Sequence, residues 1–233
     1  MSHDGRRQVL LAVDTSGSRV VIATGSPAGV ADGVSTWTAG YRHGETLLPS
    51  IGRFLGEQNI RRSRLAGVIV GTGPGAFTGL RVGMSTAKGI AHGLRIPLVG
   101  VSTAEALIAA SGVERAVLLL PAGPSDRLVV RSGSAPVPLP AGLDPDLADG
   151  ERLVALDLED RAPPDALERG EAARGRLGHE LIRLGAARLR ELGDGERAGE
   201  RAGELETLVP EYVTLPRGVR AADGTVAWSR DHR

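Results

Sequence analysis

Apolar positions run continuously rather than alternating in the first stretches of the chain. "RQVLLAVDTS" and "RVVIATGS" are two such runs, separated by Ser16-Gly17-Ser18, and they predict an antiparallel hairpin of buried strands. "ADGVSTWTAG" predicts a third strand. The period then changes. In "HGETLLPSIGRFLGE", Leu47, Leu48, Ile51, Phe54 and Leu55 recur at helical spacing. Pro49 fits that helix without a kink only in the first turn. "LAGVIVG" predicts a short buried strand, "IPLVGVS" another, and "TAEALIAASG" a further helix. Hairpin strands followed by alternating strands and helices point to a mixed sheet flanked by helices.

The later pattern is less regular. "RAVLLLPAG", "DRLVVRSG" and "ERLVALDL" predict strands, Ser134 to Asp149 an extended loop, and Asp165 to Leu192 a mostly helical stretch. The four-residue repeat "GERAGERAGE" is of low complexity and suits a solvated linker or a frayed helix; Trp228 is a candidate for docking the final segment.

Between the strands "LAGVIVG" and "IPLVGVS" lies "GTGPGAFTGLRVGMSTAKGIAHG", Gly71 to Gly93. Its start satisfies G-x-G-x-x-G/A after a strand and before a helix. A dinucleotide site also needs an acid about 20 residues on, and the first acid here is Glu105. A phosphate loop ending in Gly-Lys-Ser/Thr is absent as well, because the loop ends Thr78-Gly79-Leu80. Two readings stand. One is a tight strand-to-helix turn with Thr78 as N-cap. The other is an anion contact at the helix N-terminus, involving Gly73, Pro74, Gly75, Thr78 and Arg81.

The helix after the loop carries Gly79, Gly83, Gly89 and Gly93, each costing about 1 kcal/mol against alanine. At 100° steps, Gly79, Val82, Gly83, Thr86, Ala87, Ile90, Gly93 and Leu94 share one broad face, extended by Leu80, Met84 and Ala91. Arg81, Ser85, Lys88, His92 and Arg95 collect in a narrow polar stripe. Small residues then pack closely on the sheet and leave apolar surface for a neighbour. A buried core helix and a partner interface both satisfy the pattern.

Composition narrows the function classes. The chain has 233 residues, 41% hydrophobic and 24% charged, as a soluble globular protein of one or two domains would. With no cysteine, disulfides, thiolate metal sites and cysteine nucleophiles drop out. No apolar run approaches a membrane span and "MSHDGRRQ" has no signal-peptide core, so a cytoplasmic protein without a membrane association is expected. Net charge is zero but uneven: Gln58 to Ala104 holds no acid and six basic residues from Arg61 to Arg95, whereas Asp144 to Glu206 is acidic. The basic stripe of Arg81, Lys88 and His92 suits plain solvation, an acidic partner or nucleic-acid phosphates.

The strings "LLAVDTS", "HGETLLPSI", "VGTGPGAFTGLRVGMSTAKGIAHG", "IPLVGVSTAEAL" and "VPEYV" together resemble the bacterial TsaB (YeaZ) family of tRNA threonylcarbamoyladenosine biosynthesis. The resemblance runs from Val9 to Ala110 and returns from Leu208 to Arg217. It implies an α/β chain of the actin-like, sugar-kinase-like ATPase fold. Two related domains with mixed sheets are expected, at residues 1–110 and, reduced, at 111–220, with a flexible tail at 221–233. It implies a non-catalytic partner of a TsaD-like catalytic subunit, joined by a TsaE-like ATPase, touching tRNA only through the complex and able to form a homodimer in isolation. The implied contact is a helix bundle, here Leu47, Leu48, Ile51, Leu55, Leu80, Met84, Ala87 and Ala91.

No cofactor is expected. The metal site of the catalytic paralogue uses two histidines four residues apart, and here His43 is followed at that spacing by Leu47; His3, His92, His179 and His232 show no ligand spacing. ATPases of the fold cradle phosphates between two acid-bearing hairpins. The first here keeps Asp14-Thr15-Ser16-Gly17, but the second reads Leu120-Pro121-Ala122-Gly123, with Asp126 arriving late. Two rivals remain: a small-molecule kinase or ATPase of this fold with Asp14 essential, and a protease-like hydrolase, for which no serine stands in a recognisable turn with a paired histidine.

Overall fold

The computed structural model describes residues 8–38, 43–193, 208–211, 219–222 and 225–228. The first sheet is built from β1 (Val9–Asp14), β2 (Arg19–Gly25), β3 (Ala31–Thr38), β4 (Leu65–Gly71) and β5 (Leu98–Val101), in the order β3-β2-β1-β4-β5. β1–β2 and β2–β3 are antiparallel, whereas β1–β4 and β4–β5 are parallel. α1 (His43–Glu57) joins β3 to β4 and α2 (Phe77–Leu94) joins β4 to β5, while α3 (Thr103–Ser111) leads from β5 to the second sheet. The second sheet holds β6 (Ala116–Ala122), β7 (Asp126–Arg131), β8 (Val137–Leu139) and β9 (Arg152–Ala155), in the order β8-β7-β6-β9. It repeats the antiparallel pairs and the parallel closing pair of the first sheet, one strand short. This is the α/β fold with two mixed sheets and a reduced second half that the resemblance implied.

β1 is buried along its whole length because helices cover both faces. Leu10, Ala12, Val21 and Ala23 face a core shared with α3 and with α4 (Pro164–Gly193). Leu118, Leu120, Leu128 and Val130 of the second sheet enter the same core, so α3 and α4 are packed between the sheets. Leu11, Val13, Val20 and Ile22 point the other way, onto Leu47, Ile51 and Leu55 of α1, while Val68 and Val70 pack on Met84, Ala87 and Ala91 of α2. α4 starts at Pro164, whose missing N–H costs nothing in a first turn, and its thirty residues span about 45 Å. It therefore crosses from β9 onto the first sheet, where Gly178 and Gly185 admit Val34 and Ile69.

The pattern located the strands and helices closely, with particular departures. Ala76, not Thr78, is the N-cap of α2, and Thr78 lies inside the helix, exposed. Pro49 is the seventh residue of α1, beyond its first turn. The stretch expected as loop contains β8, which pairs with β7. Where a tail was expected from residue 221, β10 (Val219–Ala222) pairs with β11 (Thr225–Trp228). The repeat from Gly195, the histidines His3 and His232, and residues 212–217 of the resemblance lie outside the described residues, as does the Trp228 side chain.

Candidate functional site

The glycine loop is a packing element. Gly73 has φ +99°, a region that favours glycine. Its N–H donates to Thr103 Oγ1 at 3.1 Å, and its carbonyl accepts from the Thr103 N–H at 2.8 Å. The loop is thereby fastened to the first turn of α3. Ala76 N–H donates to the Ser16 carbonyl at 2.7 Å, and Thr15 Oγ1 donates to the Gly79 carbonyl at 2.7 Å. A Cβ at Gly75, Gly79 or Gly83 would collide with Ser16 or Thr15. Two of the helix glycines are thus explained by close approach to the β1–β2 turn, while a Cβ at Gly89 or Gly93 would meet nothing. Of the expected anion contacts, Gly73 and Pro74 are buried, Gly75 is half-buried and Arg81 lies over the Phe77 ring at 4.6 Å.

The expected contact face is corrected by burial. Leu47, Ile51, Leu55, Leu80, Met84, Ala87 and Ala91 are all buried within the chain itself. All but Leu80 belong to the clusters that α1 and α2 form with the first sheet, because a helix turns its most continuous apolar stripe to the nearest apolar face. Leu48 alone among the eight is exposed, at 57%. The polar stripe is placed as expected: Arg81, Ser85, His92 and Arg95 are exposed and Lys88 half-buried. Between α1 and α2 runs an apolar groove of about 620 Å³ lined by Leu48, Gly52, Gly56, Ile60, Ile90 and Leu94 among others. A Cβ at Gly44, Gly52 or Gly56 would meet nothing.

A second cavity, about 400 Å³, lies between the two sheets. Its floor is apolar, with Val21, Leu107, Leu120, Leu128, Leu156 and Leu177. Its rim carries Asp14 at the end of β1 and the β1–β2 turn. Asp14 is 1% exposed. Its Oδ1 accepts from Ser16 N–H at 3.0 Å and Ser16 Oγ at 2.8 Å, and Oδ2 accepts from Thr103 Oγ1 at 2.5 Å. Burial pushes its carboxyl above the ordinary range, against the pull of the Thr103 and Ser16 hydrogen bonds.

The opposite rim is formed by Pro121, Ala122 and Gly123 of the β6–β7 turn, which bring no carboxylate. The acid on this side is Asp157, just after β9. Its carboxylate accepts from Ser18 N–H at 3.0 Å, Ser18 Oγ at 2.5 Å and Arg174 Nη2 at 2.7 Å. Burial pushes this carboxyl up too, but the Ser18 and Arg174 donors outweigh it and hold it below the ordinary range. The sequence pattern did not single out Asp157 or Arg174. The signal available was an acid closing the apolar run "ERLVALDL"; its partner Arg174 is seventeen residues on and faces it only because α4 folds back. Among the described residues, no three His, Asp or Glu side chains gather to hold a metal ion, and no helix is long and apolar enough to cross a membrane.

Residues 27–135 match the family model described as TsaD, tRNA N6-adenosine threonylcarbamoyltransferase. That span includes α1, the glycine loop and α2. A tRNA N6-adenosine threonylcarbamoyltransferase of Geobacter sulfurreducens is 40% identical over 116 residues, 50% of this chain and 33% of that one. The tRNA threonylcarbamoyladenosine biosynthesis protein TsaB of Escherichia coli is 36% identical over 61 residues, 26% of each chain. YeaZ from Pseudomonas aeruginosa shares the fold, with a TM-score of 0.61 and 22% identity over 88% of this chain and all of that one. The chain is thus similar over part of its length to TsaD and TsaB proteins and shares the fold of YeaZ. The matched stretches span a third or less of the length of the curated relatives.

Proposed function

We propose that the chain acts in tRNA threonylcarbamoyladenosine biosynthesis as a non-catalytic partner that holds a TsaD-like subunit in an active arrangement. The observation that carries this reading is the open apolar groove between α1 and α2, with Leu48 exposed at its edge and bare glycines beside it. Glycines that meet nothing in their own chain let another helix approach closely, and such surface costs helix stability unless a neighbour covers it. The contact is made by the outer residues of the two helices, not by the buried stripe first expected. A TsaE-like ATPase joins the pair, tRNA is met through the complex, and the same groove supports a homodimer when the subunit is absent. The chain is a pseudo-enzyme, since the β6–β7 turn supplies no acid and the Asp14 oxygens are committed to Ser16 and Thr103.

The test uses Leu48→Glu. An exposed position tolerates the change within about 0.5 kcal/mol of folding stability. Pairing with the TsaD-like subunit, read by co-purification and by titration, falls at least about tenfold, a loss of about 1.4 kcal/mol. Reconstituted tRNA modification falls with it. Undiminished pairing by a folded Leu48→Glu chain refutes this surface. ATP turnover by the chain alone, abolished by Asp14→Ala, would favour the kinase or ATPase reading instead.

A further inference from the structure

The Asp157 carboxylate is held as a bound anion would be. Three donor groups converge on it: the Ser18 N–H at 3.0 Å, the Ser18 hydroxyl at 2.5 Å and the Arg174 guanidinium at 2.7 Å. Arg174 Nη1 also donates to Ser18 Oγ at 3.0 Å, so the donors brace one another. The Arg174 side chain is only 7% exposed and has its second acidic neighbour, Glu171, at 3.3 Å. Gly17 leaves room for the acceptor, since a Cβ there would stand 3.2 Å from Asp157 Oδ2. A backbone N–H, a hydroxyl and a buried guanidinium gathered around one carboxylate form an oxyanion-binding set.

The three parts come from distant places in the chain. The turn belongs to the first sheet, Asp157 follows the last strand of the second, and Arg174 stands on α4. All line the same cavity between the sheets. We propose that the Gly17–Ser18 turn and Arg174 form an oxyanion site whose resident is the chain's own Asp157, and that a free carboxylate or phosphate enters it only when Asp157 is withdrawn. The contact is thus a self-occupied site that closes the cavity by tying the two sheets together. It stands whether or not the chain pairs through α1 and α2.

Asp157 has φ +55°, so glycine replaces it without backbone strain while removing the carboxylate. Asp157→Gly is melted in sodium chloride, sodium formate and sodium phosphate at equal ionic strength, beside the unaltered chain. Formate, the smallest carboxylate, raises the melting temperature of Asp157→Gly by about 3 °C over chloride. The unaltered chain shows no such difference, and Asp157→Gly/Arg174→Met loses it. A rise with phosphate as well widens the site to tetrahedral oxyanions; a rise with formate alone restricts it to carboxylates. If Asp157→Gly does not fold in chloride, refolding in formate replaces the melt, and recovery of folded chain is the expected result. The proposal is overturned if neither anion stabilises or rescues Asp157→Gly beyond its effect on the unaltered chain, or if the rise survives loss of Arg174.

Discussion

The two halves share one strand pattern and differ in what covers it. In the first, β3-β2-β1-β4 is roofed by α1 and α2, and the cover is apolar: Leu47, Ile51 and Leu55 on one side, Met84, Ala87 and Ala91 on the other. In the second, β8-β7-β6-β9 has no helix between β8 and β9. A loop takes that place, and arginines on β7 pin it. Arg127, buried, donates to the Leu143 carbonyl in that loop and to the Arg161 carbonyl beyond β9. Arg131 donates to the Asp146 carbonyl at 2.6 Å and pairs with Glu151 at 2.8 Å. The second sheet still has an apolar cover, in which Val117, Leu119 and Val129 pack with Leu158 and Ala166, but guanidinium–carbonyl bonds rather than a helix hold the loop beside it. Only the cover of the first half leaves a helical groove on its outer side.

This contrast can be broken most severely in the apolar cover. Met84→Glu puts a charge into a site that is 4% exposed, and the cost expected is about 3–5 kcal/mol of folding stability. Urea unfolding reads it directly. The same substitution would seem attractive as a surface probe from the helical pattern, but the burial makes it a core lesion. Arg127→Ala tests the polar cover. It strips the Leu143 carbonyl in that loop and the Arg161 carbonyl after β9 of their donor and costs about 1–3 kcal/mol, with amide exchange rising across the loop from residue 140 to 151. Equal losses from an apolar Arg127→Met and from Arg127→Ala would place the effect in the hydrogen bonds; full recovery in Met would place it in side-chain packing.

The glycines sharpen the comparison further. Gly79→Ala on α2 and Gly170→Ala on α4 each drive a Cβ into a strand-end carbonyl, that of Thr15 or of Ala155. Each costs about 1–3 kcal/mol in thermal or urea unfolding. Gly89→Ala and Gly93→Ala meet nothing and gain about 1 kcal/mol each through helix propensity. A gain in stability accompanied by weaker pairing would show that those glycines are kept bare for a neighbour.

The smallest effect is in acid. Arg131, with the Ala148 N–H, holds Glu151 down to about 2 from its ordinary 4.5. Because the folded value is depressed, this pair stabilises the chain above the unfolded value. The contribution is lost as pH falls from about 4.5 towards 2. Asp14 has the opposite sign. Burial raises its folded value, so its ionisation opposes folding as pH climbs past 3.8. Glu151→Gln should flatten the acid limb of a stability-against-pH curve, and Asp14→Asn should raise stability at neutral pH. A steeper acid limb in Glu151→Gln would contradict the first assignment.

Much of this architecture was legible because it is local. Continuous apolar runs identified β1, β2, β4 and β6, the helical period identified α1 and α2, and Ser102 and Gly112 bracket α3 as its two caps. The N-cap of α2 was misplaced because Thr78 has the right chemistry, whereas the chain bends at Ala76 to meet the Ser16 carbonyl. The contact face was misjudged for a related reason. An apolar stripe on a helix shows that it is covered, not by what. At the cavity, Asp14 stood out because it closes a strand beside a tight turn, but Asp157 and Arg174 did not.

The chain by itself determined which segments of the first half are strands and helices, and that the second hairpin turn lacks an acid, since these follow from period, turn residues and identity along the sequence; that a second, reduced mixed half follows was implied by the resemblance. Only the tertiary structure decided that the stripe of α1 and α2 is spent on their own sheet, that Leu48 remains outside, and that Ser18, Asp157 and Arg174 meet across the cavity. The physical reason is that helix period and turn chemistry act over a few residues. Choosing among apolar faces, and joining a turn to a carboxylate 139 residues away, depends on how the sheets stack about α3 and α4.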